Sequence, residues 1–262
     1  MIKALFTSAT GMNAQQTMVD TTSNNLANVN TTGFKRMQPQ FQDLIYVTQR
    51  TPGSTASQGL PLPTGLQIGS GVAVSGNQKV FTPGTLNNTT NPYDVAVDGD
   101  GFFQVTLPSG EIRYTRAGNF SLNSNGNLVT SDGFLLSPQM SIPQNSLSVS
   151  VGTDGTVSVT TPGSTAPTQV GQLQLVRFQN PAGLSNEGRN LYSQTQSSGQ
   201  PITTTPGQQG AGLIRQGFLE GSNVDVVAEM VNLILAQRAY EFNTKAITTA
   251  DQMLSSTTNL IR

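Results

Sequence analysis

The chain is 262 residues long with a net charge of −1, and only 10% of its residues are charged, against about a quarter in an average globular protein. Its 13 Lys and Arg cannot furnish the basic stripe of a nucleic-acid binder, and the absence of Cys and His removes disulfides, thiolate metal sites and imidazole acid–base chemistry. A surface so poor in charge suits a subunit that spends its life packed against others.

Taken in chain order, the first element is helical. Leu5, Met12, Val19 and Leu26 are spaced by seven, with Ile2 and Ala9 filling the adjacent seam, and Gly33 after Asn30-Thr31-Thr32 supplies a stop. Between Lys3 and Lys35 the only charge is Asp20, so the spacing predicts a helix surrounded by protein on most sides, its Asn and Gln amides free for lateral hydrogen bonds. The other reading is a polar amphipathic helix covering one face of a domain. Thr7, Ser8, Asn13, Gln15 and Gln16 interrupt the apolar core a cleaved leader would need, which predicts a cytoplasmic chain or export without a cleaved signal. No stretch approaches the roughly 18 apolar residues of a membrane span, so no membrane insertion is expected.

Residues 36–90 read as a connector. From Arg50 to Gly71 three Pro and repeated Gly and Ser break any period, which predicts an extended irregular segment or a long hairpin. So long a stretch is expected to lie along a neighbour; the other reading is a disordered loop.

Residues 91–221 read as β structure. Tyr93 to Val97 alternates, Asp98-Gly99-Asp100-Gly101 turns into Phe102-Phe103-Gln104-Val105, and Leu107-Pro108-Ser109-Gly110 turns into Ile112-Arg113-Tyr114. Asn125-Gly126 and Asp154-Gly155, each between short apolar runs, predict tight hairpins. Leu173 to Phe178 and Leu213 to Leu219 complete a small sandwich- or barrel-like domain with Phe102, Phe103, Tyr114, Phe120, Leu135 and Phe178 as its core.

The C-terminal stretch from Ser222 to Arg262 predicts one long helix. Val226, Leu233, Tyr240, Ile247, Leu254 and Ile261 are spaced by seven, and a second row, Ala239, Ala246, Met253 and Leu260, runs beside them. Such a helix would be roughly 55 Å long and cannot hide its stripe inside its own domain. Ser222-x-x-Asp225 reads as a capping box with Asp for Glu, and Glu241 precedes Lys245 by four. Both ends of the chain therefore want a helical partner, which they find by pairing as an antiparallel coiled coil. Gln16 and Ser23 interrupt the N-terminal seam, so the pair is expected to be completed by neighbouring subunits through the second row.

Motifs that suggest chemistry fail on their details. Asp98-x-Asp100 begins like a calcium loop, but Phe102 stands where an oxygen ligand belongs. Gly65-x-x-x-Gly69-x-Gly71 lacks the Gly-Lys-Ser/Thr ending of a phosphate loop. Asp98 and Glu111 could be imagined as a glycosidase pair, yet the chain has no Trp to floor a sugar cleft. No catalytic residue, cofactor or metal site is expected.

Three stretches carry a resemblance. Ser23-Asn24-Asn25-Leu26-Ala27-Asn28-Val29-Asn30-Thr31-Thr32-Gly33-Phe34-Lys35 resembles the N-terminal signature of the bacterial flagellar rod and hook axial proteins. Glu220-Gly221-Ser222-Asn223-Val224-Asp225, followed by Met230-Val231 and Gln237-Arg238-Ala239-Tyr240-Glu241, is similar to their C-terminal signature. Asn91-Pro92-Tyr93-Asp94-Val95-Ala96-Val97, Gly101-Phe102-Phe103 and Tyr114-Thr115-Arg116-Ala117-Gly118-Asn119-Phe120 match the family between them. Length, Phe41 to Tyr46, and Gly65 to Val72 are most similar to its distal-rod members, with proximal-rod or hook-type subunits and a secreted β-rich adhesin as alternatives.

The expectation is an α+β chain in three parts. Residues 1–35 and 222–262 form a helical inner-tube domain, 36–90 a connector, and 91–221 a β-rich outer domain. The resemblance implies a structural subunit that polymerises helically into a rigid, hollow drive shaft crossing the periplasm. It also implies export by the flagellar type III apparatus, and contacts with its own copies, proximal rod proteins, hook or hook-junction proteins and the P- and L-ring bushing. The residues expected to carry assembly are Leu5, Met12, Val19, Leu26 and both C-terminal rows, with Ser23, Asn24, Asn25, Leu26, Ala27, Asn28, Gly33 and Phe34 as the signature.

Overall fold

The computed structural model describes residues 2–52, 64–163 and 166–260. Ile261 and most of the Thr51–Leu62 stretch lie outside them, as does the side chain of Leu260. The architecture is α+β: an N-terminal helix α1 (Ile2–Ala27), a C-terminal helix α2 (Val226–Leu260), and short strands between them. The chain divides into two compact units, one of Met1–Ala27, Met37–Gln78 and Asp225–Arg262, the other of Asn28–Arg36 and Lys79–Val224.

In the helical unit α1 and α2 run antiparallel, since Asn25 meets Glu229 while Gly11 meets Asn243. A second cover on α1 comes from the connector, whose described part is a long hairpin. Met37–Asp43 pairs with Val72–Lys79, and beyond it Val47–Arg50 pairs antiparallel with Leu66–Ile68. Thr10 Oγ1 accepts from the Val72 amide, Thr21 Oγ1 from the Asn77 amide group, and Lys3 Nζ donates to the Ile68 carbonyl. Covered on two sides, α1 has little use for charge. Its exposed hydroxyls fall back on their own helix: Thr7 and Thr17 donate to carbonyls four residues earlier.

The β-rich unit centres on a seven-stranded antiparallel sheet in the order Ser185–Gly188, Leu191–Ser193, Ile112–Thr115, Phe103–Thr106, Leu135–Ser137, Leu128–Val129, Ser121–Leu122. Ser148–Val151, Thr156–Thr160 and Thr168–Gln172 form a three-stranded sheet, and further pairs join Val95–Asp98 to Leu213–Gln216 and Leu86–Asn88 to Phe218–Glu220. Asn125-Gly126 and Asp154-Gly155 do turn hairpins, with both glycines at positive φ. Strand alternation splits the two adjacent phenylalanines. Phe103 enters the larger core with Val105, Phe120 and Ile214, while Phe102 joins Tyr114, Phe178 and Tyr192 in an edge-to-face aromatic cluster.

Several boundaries differ from expectation, each for a tertiary reason. Leu136, not Leu135, is the buried member of its strand, because the pleat turns Leu135 to the other face. Asp98 to Gly101 does turn the chain from Val95–Asp98 into Phe103–Thr106, although Val95–Asp98 pairs with Leu213–Gln216 rather than with the strand that follows. Gly33 is not the end of α1, which stops at Ala27; it has φ 68° and sits where a Cβ would come within 2.7 Å of the Arg116–Ala117 backbone. The cap of α2 is Asp225, whose Oδ1 accepts from the amides of Val227 and Ala228 at 2.9 and 3.3 Å. Ser222 instead receives the Val224 amide, because Glu220 to Asn223 is held extended by partners in the β-rich unit. Glu241 pairs with Arg238 at 2.9 Å in place of Lys245.

Candidate assembly surface

The most buried side chains of the helical pair are small and polar ones. Among the described side chains of α2 the buried ones are Glu229, Ala236 and Ala250, and the half-buried Asn243 completes their period of seven. On α1 they are Ala14, Thr21, Thr22 and Asn25. Gly11 admits Asn243 so closely that a Cβ there would lie 3.0 Å from its Nδ2. Asn25, 1% exposed, exchanges two 2.8 Å hydrogen bonds with the Met37 backbone and donates to Glu229 Oε2. One side chain thus ties the end of α1, the start of the hairpin and the first turn of α2.

The residues expected from heptad spacing flank this seam. Leu5, Met12, Val19 and Leu26 are half-buried, as are Leu233, Ile247, Leu254 and Ala239. Val226, Tyr240, Ala246 and Met253 are exposed. Of the signature, Asn25, Gly33 and Phe34 are buried, Leu26 and Asn28 half-buried, and Ser23, Asn24 and Ala27 exposed. Gln16, Val19, Gln237, Tyr240 and Glu241 line an open groove of about 420 Å³ along the pair.

A face the heptads do not mark is the most apolar. Val227, Met230, Val231, Ile234, Leu235 and Phe242 are 50–72% exposed. At 100° per residue Val227, Val231, Ile234 and Phe242 lie opposite Glu229, Ala236 and Asn243, so this stripe points away from α1. Its signal in sequence is the start of α2, Val226 to Ala236, where apolar residues fall on more sides than one seam can use. Exposed Phe41, Ile45, Tyr46, Val47, Leu66 and Ile68 add apolar surface on the hairpin. Exposed apolar side chains in this number are the kind of surface that interaction sites use.

In the β-rich unit the resembling motifs converge on one buried cluster. Lys35 Nζ lies 2.6 Å from Glu220 Oε1 and 2.7 Å from the Thr82 carbonyl, and Arg116 Nε lies 3.4 Å from Glu220 Oε2. All three side chains are 0–2% exposed. Two cations thus share one carboxylate, and Arg116 keeps a second partner in the Gly99 carbonyl at 2.8 Å and the face of Phe102. Burial lowers the Lys35 pKa; the Glu220 carboxylate opposes that shift and the Arg116 cation adds to it. Nearby, Lys79 Nζ sits 4.5 Å from the centre of the Tyr192 ring and 5.6 Å from that of Phe34, and burial lowers its pKa to about 8. Sequence reasoning quoted Lys35, Arg116 and Glu220 only as parts of motifs. Their mutual contact spans 185 residues of sequence between Lys35 and Glu220 and leaves no periodic trace.

The carboxylates once considered for sugar chemistry are committed elsewhere. Asp98 pairs with Arg215 at 2.7 Å across neighbouring strands, and Glu111 shares Arg113 with Glu187. Among the described residues no group of three or more His, Cys, Asp or Glu is placed to hold a metal ion, and no helix is long and apolar enough to cross a membrane. The surface chemistry on offer is that of packing.

Comparison with known proteins agrees with that chemistry. Residues 5–35 match the flagella basal body rod protein family, 96–159 the flagellar hook protein FlgE/F/G D1 domain, and 215–260 the flagellar basal body rod FlgEFG protein C-terminal family. The chain is 50% identical to the flagellar basal-body rod protein FlgG of Buchnera aphidicola from Schizaphis graminum, over 99% of this chain and 100% of that one. Against the protein of that name from Caulobacter vibrioides the identity is 47%, over 99% of each. Against the rod protein FlgF of the same organism it is 36%, over 88% and 87%.

Proposed function

Because this chain belongs to the flagellar basal-body rod protein family and is a structural subunit of that rod, we propose that it builds the distal part of the shaft by packing α2 of each copy against neighbouring copies. Higher identity to FlgG than to FlgF of one organism supports the distal over the proximal position. The carrying observation is the exposed stripe of Val227, Met230, Val231, Ile234, Leu235 and Phe242 opposite the face that meets α1.

In this reading α1 and α2 form an antiparallel coiled coil, supported by the 3–4 spacing of Glu229, Leu233, Ala236, Tyr240, Asn243, Ile247, Ala250 and Leu254. The pairs line a hollow tube, and Ala239, Ala246, Met253 and Leu260 extend the stripe offered to other copies. Copies added head-to-tail by a contact that does not close on itself give an open helical polymer. Such a polymer transmits torque from motor to hook and leaves a channel for later subunits. The chain is exported by the flagellar type III apparatus and meets proximal rod, hook-junction and ring proteins along the shaft.

The test is complementation. A strain lacking this chain and given Ile234→Asp should express a folded subunit yet build no distal rod or hook. Normal basal bodies with that variant would sink the proposal.

A further inference from the structure

We propose that Asn223 and the buried Lys35–Glu220–Arg116 cluster form a clamp within the β-rich unit that gathers three of the four places where the chain crosses its boundary, so that these three carry torque together. The inference rests on the reading of the chain as a rod subunit. The chain crosses the boundary of this unit before Asn28, after Arg36, before Lys79 and after Val224, and the clamp gathers the last three of these passages. Left separate, three extended passages would each stretch and twist alone.

They are not separate. Asn223 Oδ1 accepts from the Arg36 amide at 2.7 Å, and its Nδ2 donates to the carbonyls of Val80 and Thr82 at 2.8 and 3.1 Å. The Val80 amide donates to the Arg36 carbonyl at 3.0 Å, which closes the triangle: each passage is bonded to both others. Below it Lys35 joins Thr82 to Glu220, Glu220 Oε1 accepts from the Gly84 amide at 3.1 Å, and the Glu220 carbonyl accepts from Gly33 at 2.8 Å. The Lys79 ammonium between Phe34 and Tyr192 fixes the second passage from its far side. Hydrogen bonds in such a closed network open together rather than one at a time. Load on any one passage is then resisted by all three.

The variants are Asn223→Ala, which removes every side-chain bond, and Asn223→Asp, which keeps the acceptor for Arg36 and loses the donations to Val80 and Thr82. In the full-length chain, amide exchange at Gly33, Val80, Gly84 and Gly221 is expected to quicken together in Asn223→Ala, by about tenfold or more, while the larger β core stays protected. In Asn223→Asp the 80–84 amides should quicken and Arg36 should not. Cells carrying either variant should assemble basal bodies in normal number and swim normally in dilute medium, but lose rotation or shed broken shafts in viscous medium.

Faster exchange confined to Arg36, or unchanged rotation under load, overturns the clamp. Absence of basal bodies in both variants also overturns it, because the cluster would then serve assembly and not load. If cells lacking the chain entirely still build a rod, the rod-subunit reading falls instead, and the exchange measurement decides the clamp by itself.

Discussion

Lys35 Nζ and Glu220 Oε1 stand 2.6 Å apart with neither side chain exposed to solvent, joining residues that open and close the β-rich unit. Arg116 is the second cation on the same carboxylate, so the members of the cluster are not equivalent. Lys35→Met leaves Glu220 still paired with Arg116, whereas Glu220→Gln leaves two buried cations without an anion. Breaking a buried pair from one side costs about 3–5 kcal/mol. Glu220→Gln should lie at or above that range and Lys35→Met at or below its lower end, read from urea unfolding followed by tyrosine fluorescence. The reverse ordering would mean that Arg116 does not neutralise Glu220.

Gly33 makes a sharper case, because two costs coincide there. Its φ of 68° is disfavoured for any L side chain, and a Cβ would meet the Arg116–Ala117 backbone at 2.7 Å. Strain at such a position is about 1–3 kcal/mol before the collision is counted. Gly33→Ala should therefore lower the thermal midpoint of the β-rich unit by about 2–12 °C from the strain alone, and further with the collision. An unchanged midpoint would refute the close approach.

Lys79 predicts a pH dependence. Burial lowers its pKa in the fold to about 8 from the ordinary 10.5. Between those values the unfolded chain holds a proton that the folded chain has released, so this residue makes stability rise with pH, by at most about 1.4 kcal/mol per unit. Below pH 8 the desolvation penalty is present in full. Lys79→Met escapes it, so the variant's advantage over the parent should shrink as pH is raised from 7 to 10. A gap independent of pH would show that the ammonium keeps its solvation between Phe34 and Tyr192.

Much of this fold is written locally, and what is not local stayed hidden. The Asn125-Gly126 and Asp154-Gly155 turns and both terminal helices follow from turn chemistry and periodicity that act within a few residues. α2 starts at Val226 and not at Ser222 because a Ser222 cap competes with the strand Phe218–Glu220 and the bonds of Asn223, whose partners are more than a hundred residues away. The true seam was missed because Ala236, Asn243 and Ala250 are small or polar, and hydrophobic counting passes over them. Val231, Ile234 and Phe242 stand outside the residues expected to carry assembly for the opposite reason: they are apolar but fall between the heptad rows.

Two alanines ten residues apart on α2 separate the fold of the subunit from its assembly. Ala236 is 3% exposed and faces α1, whereas Ala246 is exposed on the flank of the apolar stripe. Ala236→Leu forces extra methylenes into a closed seam and should cost about 1–3 kcal/mol in the isolated subunit. Ala246→Arg points into solvent in that same subunit and should change its stability by no more than about 0.5 kcal/mol. In a cell the order reverses. A guanidinium on a face that neighbouring copies must bury carries a desolvation cost with no partner, so Ala246→Arg should leave the proximal structure without a distal rod while the subunit accumulates folded. Ala236→Leu, still folded if marginally so, should assemble at permissive temperature. Denaturation of both purified variants, beside counts of hooks and basal bodies in strains carrying them, reads the contrast directly. Rods of normal length from Ala246→Arg, or a large loss of subunit stability from it, would place that flank inside the subunit and not between copies.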